Sequence, residues 1–226
     1  MIGRAAMLTS FAVLLSAAPA AAQAKPAPAK PRPAAQSRDI EIGGYVMFGR
    51  INFVAADSFD VILGSPWGTV FGGGGRLGLP YGRLFVDIGA WRFHGEGERV
   101  FVSGSDVFPL GVPLEITIVP IEISGGWQFA VRRFPALRPY AAGGFTTYGY
   151  KETSQFATGT EDVEERFNGF HLFGGAEYRI RRWLGVGGEV AWTTVPDAIG
   201  DNGVSEAFDE TNLGGTSIRF KVTIGR

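Results

Sequence analysis

The sequence contains no cysteine and only two histidines, His94 and His171. Without thiols there is no disulfide scaffold, no thiolate metal site and no lipid anchor on an N-terminal cysteine. Charged side chains are scarce at 19%, and they nearly cancel: 21 basic and 22 acidic residues leave a formal net charge of -1. The chain as a whole therefore has no electrostatic bias toward nucleic acid, which is not expected as a partner. Long apolar stretches are missing too; beyond the N-terminal segment no run approaches the ~18 residues of a membrane helix. Disorder is excluded, since it needs few apolar residues and a strong net charge, whereas 45% of the 226 residues are hydrophobic. What the chain has in excess is glycine. Its 34 glycines are roughly double the usual ~7%, and they lack the period of three that marks collagen.

Residues 1–24 read as an address. Arg4 supplies a positive start, Ala5 to Leu15 an apolar core, and 20–24 small-residue cleavage sites. This is the pattern of a secretory signal peptide; the apolar run is too short for a membrane helix, and Pro19 breaks it. Residues 25–38 (KPAPAKPRPAAQSR) hold four prolines and four basic residues. Such a segment favours extended polyproline conformations and buries nothing, so a solvated periplasmic linker is expected, with a basic tether to anions as the alternative. The remainder, 39–226, is expected to form one domain.

That domain shows period-two alternation, which predicts strands. Eight are expected, at about 40–53, 69–79, 83–93, 114–131, 138–151, 167–180, 183–194 and 215–225. Helical periodicity is not evident. In the first strand Ile40, Ile42, Val46 and Phe48 share one face, opposite Glu41, Gly43, Tyr45 and Met47. In the last, Ile218, Phe220, Val222 and Ile224 oppose Ser217, Arg219, Lys221 and Thr223. The fifth strand, PYAAGGFTTYGYK, has no assignable faces. Throughout, one face carries large apolar residues and the other Gly, Ser, Thr and charges. A soluble ligand barrel has the reverse arrangement. Lipid offers no hydrogen bonds, so a spanning sheet must close on itself, with its apolar face outward. The expected fold is thus all-β: an eight-stranded antiparallel up-and-down transmembrane β-barrel.

The connections support this. Short turns follow strands two, four and six; long loops (54–68, 94–113, 152–166 and 195–214) follow strands one, three, five and seven. Transmembrane barrels pair short periplasmic turns with long outer loops. The four long loops hold 15 of the 22 acidic residues, whereas the short turns and their flanks hold Arg83, Arg132, Arg133, Arg138, Arg179, Arg181 and Arg182 and no acid. The near-zero net charge conceals an acidic outer end and a basic inner end. Aromatics near strand ends are expected to form two interfacial girdles. The inner one would hold Tyr81, Trp127, Phe129, Tyr140 and Trp183, the outer one Phe48, Phe71, Tyr148, Phe170 and Trp192. Trp91 falls on the inward parity, so a bulge or a large lumen aromatic is expected there.

Four segments carry a family resemblance: PYAAGGF (139–145), FGGAEYRI (173–180), VGGEVAW (186–192) and the terminal TSIRFKVTIGR. They resemble the small outer-membrane β-barrels of OmpA and OmpX type over about 39–226. The resemblance implies insertion by the outer-membrane assembly machinery, contact with outer-membrane lipid and lipopolysaccharide, and location in the outer membrane. It also implies that the last strand is the assembly signal, through Ile218, Phe220, Val222 and Ile224. The family's last strand usually ends in an aromatic; here the last residue is Arg226. No peptidoglycan-binding domain follows that strand, so cell-wall anchoring is not implied.

By face assignment Asp87, Glu122, Glu177 and Glu189 point inward, as do Arg76, Arg179, Arg219 and Lys221. Eight strands enclose a space that side chains can fill, and buried charges persist when paired. A closed, ion-paired core is expected; a narrow gated pore or proton path is the alternative. Catalysis is not expected: nucleophilic hydrolysis needs a nucleophile beside a positioned base, and no serine is adjacent to either histidine in the sequence. GGGGRLG (72–78) lacks the Lys-Ser/Thr and the helix of a phosphate loop. Asp201, Asn202, Glu206, Asp209 and Glu210 offer oxygen ligands but match no calcium-loop spacing, so no cofactor or metal is expected. Two functions remain: a non-enzymatic structural or surface-interaction barrel with an unidentified extracellular ligand, or a small channel for small solutes.

Overall fold

A computed structural model describes residues 40–80, 83–104, 106–154, 163–200 and 203–225. The expected leader and linker lie outside these residues. Eight strands close into a barrel in sequence order. They are β1 (Glu41–Phe53), β2 (Trp67–Gly78), β3 (Leu84–Ser103), β4 (Asp106–Gln128), β5 (Leu137–Ser154), β6 (Val163–Arg181), β7 (Leu184–Thr194) and β8 (Gly215–Gly225). Every neighbouring pair is antiparallel, and β1 closes the barrel on β8 with Phe48 opposite Phe220. Their rings stack at 5.5 Å on the outside of this seam.

Alternation decides which way each residue faces. The exposed large residues include Ile42, Val46 and Phe48 on β1, Val119, Ile121 and Ile123 on β4, and Ile218, Phe220 and Ile224 on β8. Phe71 is 65% and Phe145 67% exposed, values that water would penalise and hydrocarbon would not. On β4 the apolar outer face runs from Trp127 to Val119, and on β6 from Ile180 to Phe170. With a rise of ~3.3 Å per residue and a tilt near 40°, these rows span roughly 20–25 Å, close to the ~25 Å apolar band of a transmembrane barrel. Beyond them the outward positions turn polar, as at Arg50, Arg92 and Asn168.

Several expectations need correction. The segment 94–113 is not a loop. β3 and β4 run on as a long hairpin, with a register shift between Glu98 and Val100. Its Gly, Pro and charges imitate loop composition, yet cross-strand pairs such as Phe101–Phe108 continue the ladder. The outer loops also hold helices: α1 (Ala56–Leu63), ended by Gly64 in the left-handed conformation, and the short α2 (Gly203–Ala207). A single two-turn helix is too short to show periodicity in sequence. Two girdle expectations also fail: Tyr140 and Tyr148 are buried inside the barrel. Tyr81 lies outside the described residues.

The glycines have specific work where the interior is crowded. The Tyr45 ring lies against the lumen wall at Gly74 and Gly89; a Cβ at either would stand 2.6 Å from the Tyr45 hydroxyl. Only glycine leaves room for that ring.

Candidate functional site

The described interior has two layers. The lower layer, toward the short turns, is ionic. Arg76 donates from Nε to Asp87 Oδ2 at 2.9 Å, and Tyr45 donates to Asp87 Oδ1 at 2.7 Å. The Arg76 guanidinium also lies over the rings of Phe85 and Tyr140, at 4.2 and 4.4 Å. Across the barrel Arg219, 1% exposed, holds Glu122 through two bonds of 2.8 and 2.9 Å. Trp91 donates its indole N–H to the same carboxylate at 2.8 Å, which settles its inward placement as a lumen aromatic. Glu189 accepts from Lys221 at 2.7 Å and Tyr140 at 3.0 Å, with Arg219 3.5 Å away. Nearest the inner mouth, Arg179 pairs with Glu177 at 3.0 Å and with Glu41 at 3.3 Å, and Arg138 joins Glu41 at 3.0 Å.

All eight charged residues named from the sequence thus lie in the interior, each with a partner of opposite sign. Charges taken out of water need such partners to persist. The structure adds Tyr45, Trp91, Tyr140 and Ser217, whose hydroxyl accepts from Arg219 at 2.9 Å, and the rim pair Glu41–Arg138. Glu41 shares the parity of Tyr45 and was legible on that ground. Arg138 sits on the strand whose small residues hide its faces.

The upper layer is apolar, and this departs from the expected small-or-charged lumen face. Met47, Ile51, Phe53, Val70, Phe93, Leu114, Ile116, Ile118 and Tyr148 turn inward and are buried. Helix α1 closes over them. Phe59 stacks on Phe53 at 4.1 Å, and Phe53 meets Phe93 edge-on at 5.0 Å. Ala55, Val195, Ala198 and Leu213 join this cluster from the loops. The cap is latched by charge. The backbone N–H groups of Asp57 and Ser58 donate to the two carboxylate oxygens of Glu210, at 3.0 and 2.9 Å. The N-terminus of a helix carries unpaired N–H groups and partial positive charge, so a carboxylate is a suitable cap.

The other candidate chemistry can be placed as well. His171 and Ser124 are distant in sequence but meet in the lumen, with Ser124 Oγ 2.7 Å from His171 Nε2. No serine neighbours either histidine in the sequence, and the fold makes this contact across 47 residues. His171 Nδ1 has no hydrogen-bond partner, so no carboxylate orients the ring as a base would require. Both side chains are buried, beneath the apolar layer. The pair fills space and satisfies one ring nitrogen. His94 lies outward beside Thr117 and Glu96. Among the described residues no group of three or more His, Asp or Glu could hold a metal ion. Glu210 is committed to α1, and Asp201 and Asn202 lie outside the described residues. The cavities in the lower layer are small: about 40 Å³ at the inner mouth, beside Glu41, Arg179 and Trp183, and about 10 Å³ deeper, beside Tyr45 and Lys221.

The barrel is a closed eight-stranded meander with an apolar outer belt and an ion-paired lower interior. The fold is that of the small outer-membrane β-barrels. Among solved structures it is similar to Neisserial surface protein A (NspA), with a TM-score of 0.52 and 10% sequence identity over 82% of this chain and 96% of that one. Two Pseudomonas aeruginosa proteins also match at a TM-score of 0.45. The N-terminal β-barrel domain of OprF shares 11% identity over 82% of this chain and 97% of its own. The outer membrane protein OprG shares 12% over 84% and 94%. No protein-family model and no curated protein sequence matches the chain. At these identities the likeness concerns the barrel and not what any of these proteins binds.

Proposed function

We propose that this protein is an integral outer-membrane barrel with a structural or surface-interaction role, neither a catalyst nor an open channel. The observation that carries the reading is the doubly occupied interior: a paired ionic layer beneath an apolar plug and its latched helix. A solute crossing the barrel would have to break Arg219–Glu122 and displace Phe53, Phe59 and Phe93. The outer-membrane location rests on the lipid-facing belt, the N-terminal leader and the fold. In this orientation the short turns face the periplasm, and the hairpin and loops face outward. These present exposed acids, among them Glu96, Glu98, Asp106, Glu164 and Glu206, to lipopolysaccharide and to an extracellular ligand. Strand β8, with Ile218, Phe220 and Ile224 on its lipid face, is the segment offered to the assembly machinery.

Two measurements test this. Membrane fractionation with a heat-modifiability gel should place the mature protein in the outer membrane, with a mobility shift on boiling. A soluble protein without the shift would overturn the barrel reading. In planar bilayers the purified protein should give no steady conductance; reproducible large openings would favour the channel instead.

A further inference from the structure

The short-turn end carries a charge pattern that the ionic interior does not use. Arg83, Arg132, Arg133, Arg181 and Arg182 are exposed, and among the described residues none of them makes an ion pair. The nearby acids are already taken. Glu41 holds Arg138 and Arg179, and Glu177 holds Arg179. The five arginines belong to three turns that hydrogen bonds stitch into one arc. Gln128 N donates to the Arg83 carbonyl at 2.7 Å, Phe129 N to Pro139 at 2.7 Å, and Arg179 N to Ala136 at 2.8 Å. Arg133 also lies 5.8 Å over the Phe134 ring.

The arc sits at the level where the apolar belt ends. Leu84, Trp127, Phe129, Phe134, Ile180 and Trp183 are all exposed beside it. A lipid whose chains lie along this belt must place its headgroup among the arginines. Guanidinium groups suit phosphodiesters because their planar N–H fork bonds two oxygens at once. We propose that this arginine arc is a binding surface for anionic phospholipid headgroups of the leaflet that surrounds the short turns. The arc thereby holds the barrel at a set depth. At the opposite end, outward basic residues are interspersed with acids: Lys151 stands opposite Glu164 in the β5–β6 ladder, and Arg92 is followed on its face by Glu96 and Glu98. The preference is therefore one-sided. The assignment of that leaflet as periplasmic rests on the orientation proposed above.

The test uses the protein reconstituted in phosphatidylcholine bilayers, with spin-labelled phosphatidylglycerol or spin-labelled phosphatidylcholine as the probe. The fraction of motionally restricted probe gives the relative affinity of the two lipids. The native chain should prefer the anionic probe by about three- to tenfold at low salt, and less at 0.5 M NaCl. The quadruple variant R132Q/R133Q/R181Q/R182Q should bring the ratio close to one. The double variant R132Q/R133Q, confined to one solvent-exposed turn, should lower it part-way and guards against a quadruple variant that does not fold. An unchanged ratio in a heat-modifiable double variant would overturn the proposal. So would a preference abolished by K151Q/R166Q instead, or binding of soluble peptidoglycan fragments without any lipid preference. Orientation is read separately. The native chain lacks cysteine, so Pro135→Cys and Ser103→Cys give clean single thiols. An impermeant maleimide on whole cells should label Ser103→Cys and spare Pro135→Cys. The reverse pattern would refute the orientation without touching the lipid preference.

Discussion

The lower and upper halves of the barrel interior solve the same packing problem with opposite chemistry. Both are closed, and both draw on inward residues of all or most strands. Below, the wall supplies Asp87, Glu122, Glu177 and Glu189 against Arg76, Arg179, Arg219 and Lys221, a balanced set. Above, it supplies Met47, Ile51, Phe93, Ile116 and Ile118, and α1 completes the layer. The lower half lies within the lipid belt, where most large apolar residues turn outward, while Phe85, Trp91, Tyr140 and Phe173 turn inward among the charges. The upper half is level with the end of that belt and beyond it, where the outward positions have become Arg50, Arg92 and Glu96. There the wall faces water, and the barrel behaves as an ordinary soluble β-structure with its apolar residues inside. The molecule inverts its inside and outside where it leaves the hydrocarbon.

The two halves should therefore fail differently. The largest effect is expected from Arg219→Leu, which strands Glu122 without its guanidinium, whereas Glu189 keeps Lys221. Breaking a buried pair by removing one partner costs about 3–5 kcal/mol, to be measured by urea unfolding from lipid vesicles. The double variant R219L/E122L should recover a large part of that loss, since paired removal leaves no orphan charge. If the double variant is as unstable as the sum of its parts, the lower layer is not a set of coupled pairs. In the upper half Phe93→Ala should cost about 3 kcal/mol through the cavity beneath Phe53 and Phe59. It should leave bilayer conductance unchanged, because the ionic layer below still closes the barrel. A steady current in this variant would show that the plug alone seals the lumen.

A smaller and more local effect is expected at the latch. Glu210→Ala should cost roughly 1 kcal/mol and act on α1 alone. Amide exchange within 56–63 should accelerate while the barrel strands stay protected. Uniform acceleration would mean that the cap and the barrel unfold as one unit. The smallest change is expected from Arg138→Gln at the inner rim. The Arg138–Glu41 pair is partly exposed, with side-chain exposures of 31% and 38%, so its loss should be under about 1 kcal/mol in the same urea assay.

Legibility in the sequence tracks these halves as well. The eight lumen charges could be placed because each has at least one large apolar neighbour on the opposite face, as Asp87 has Val86 and Ile88. The upper plug was hidden because the apolar parity switches within one strand: Leu114, Ile116 and Ile118 turn inward, whereas Val119, Ile121 and Ile123 turn outward. Period two then identifies a strand without telling its inside from its outside. Strand β5 was ambiguous for another reason: Ala141, Ala142, Gly143 and Gly144 place small residues on both faces, so Arg138 could not be assigned. Helix α1 carries eight residues, too few for a period of 3.6 to stand out. The Ser124–His171 contact joins β4 to β6, strands that are not neighbours in the sheet, and no local pattern signals it.

The sequence by itself determined the strand count, the lipid-facing residues and the division of charge between the two ends. These follow from a period of two and from the demand of hydrocarbon for apolar surface, both local properties. The tertiary structure alone decided who meets whom inside. Arg219 finds Glu122 across 97 residues, and Glu210 finds α1 across 153. Barrel closure and stagger bring such side chains to one height on opposite walls, and the latch depends on how two loops fold over one mouth. Neither is written in the spacing of residues along any one strand.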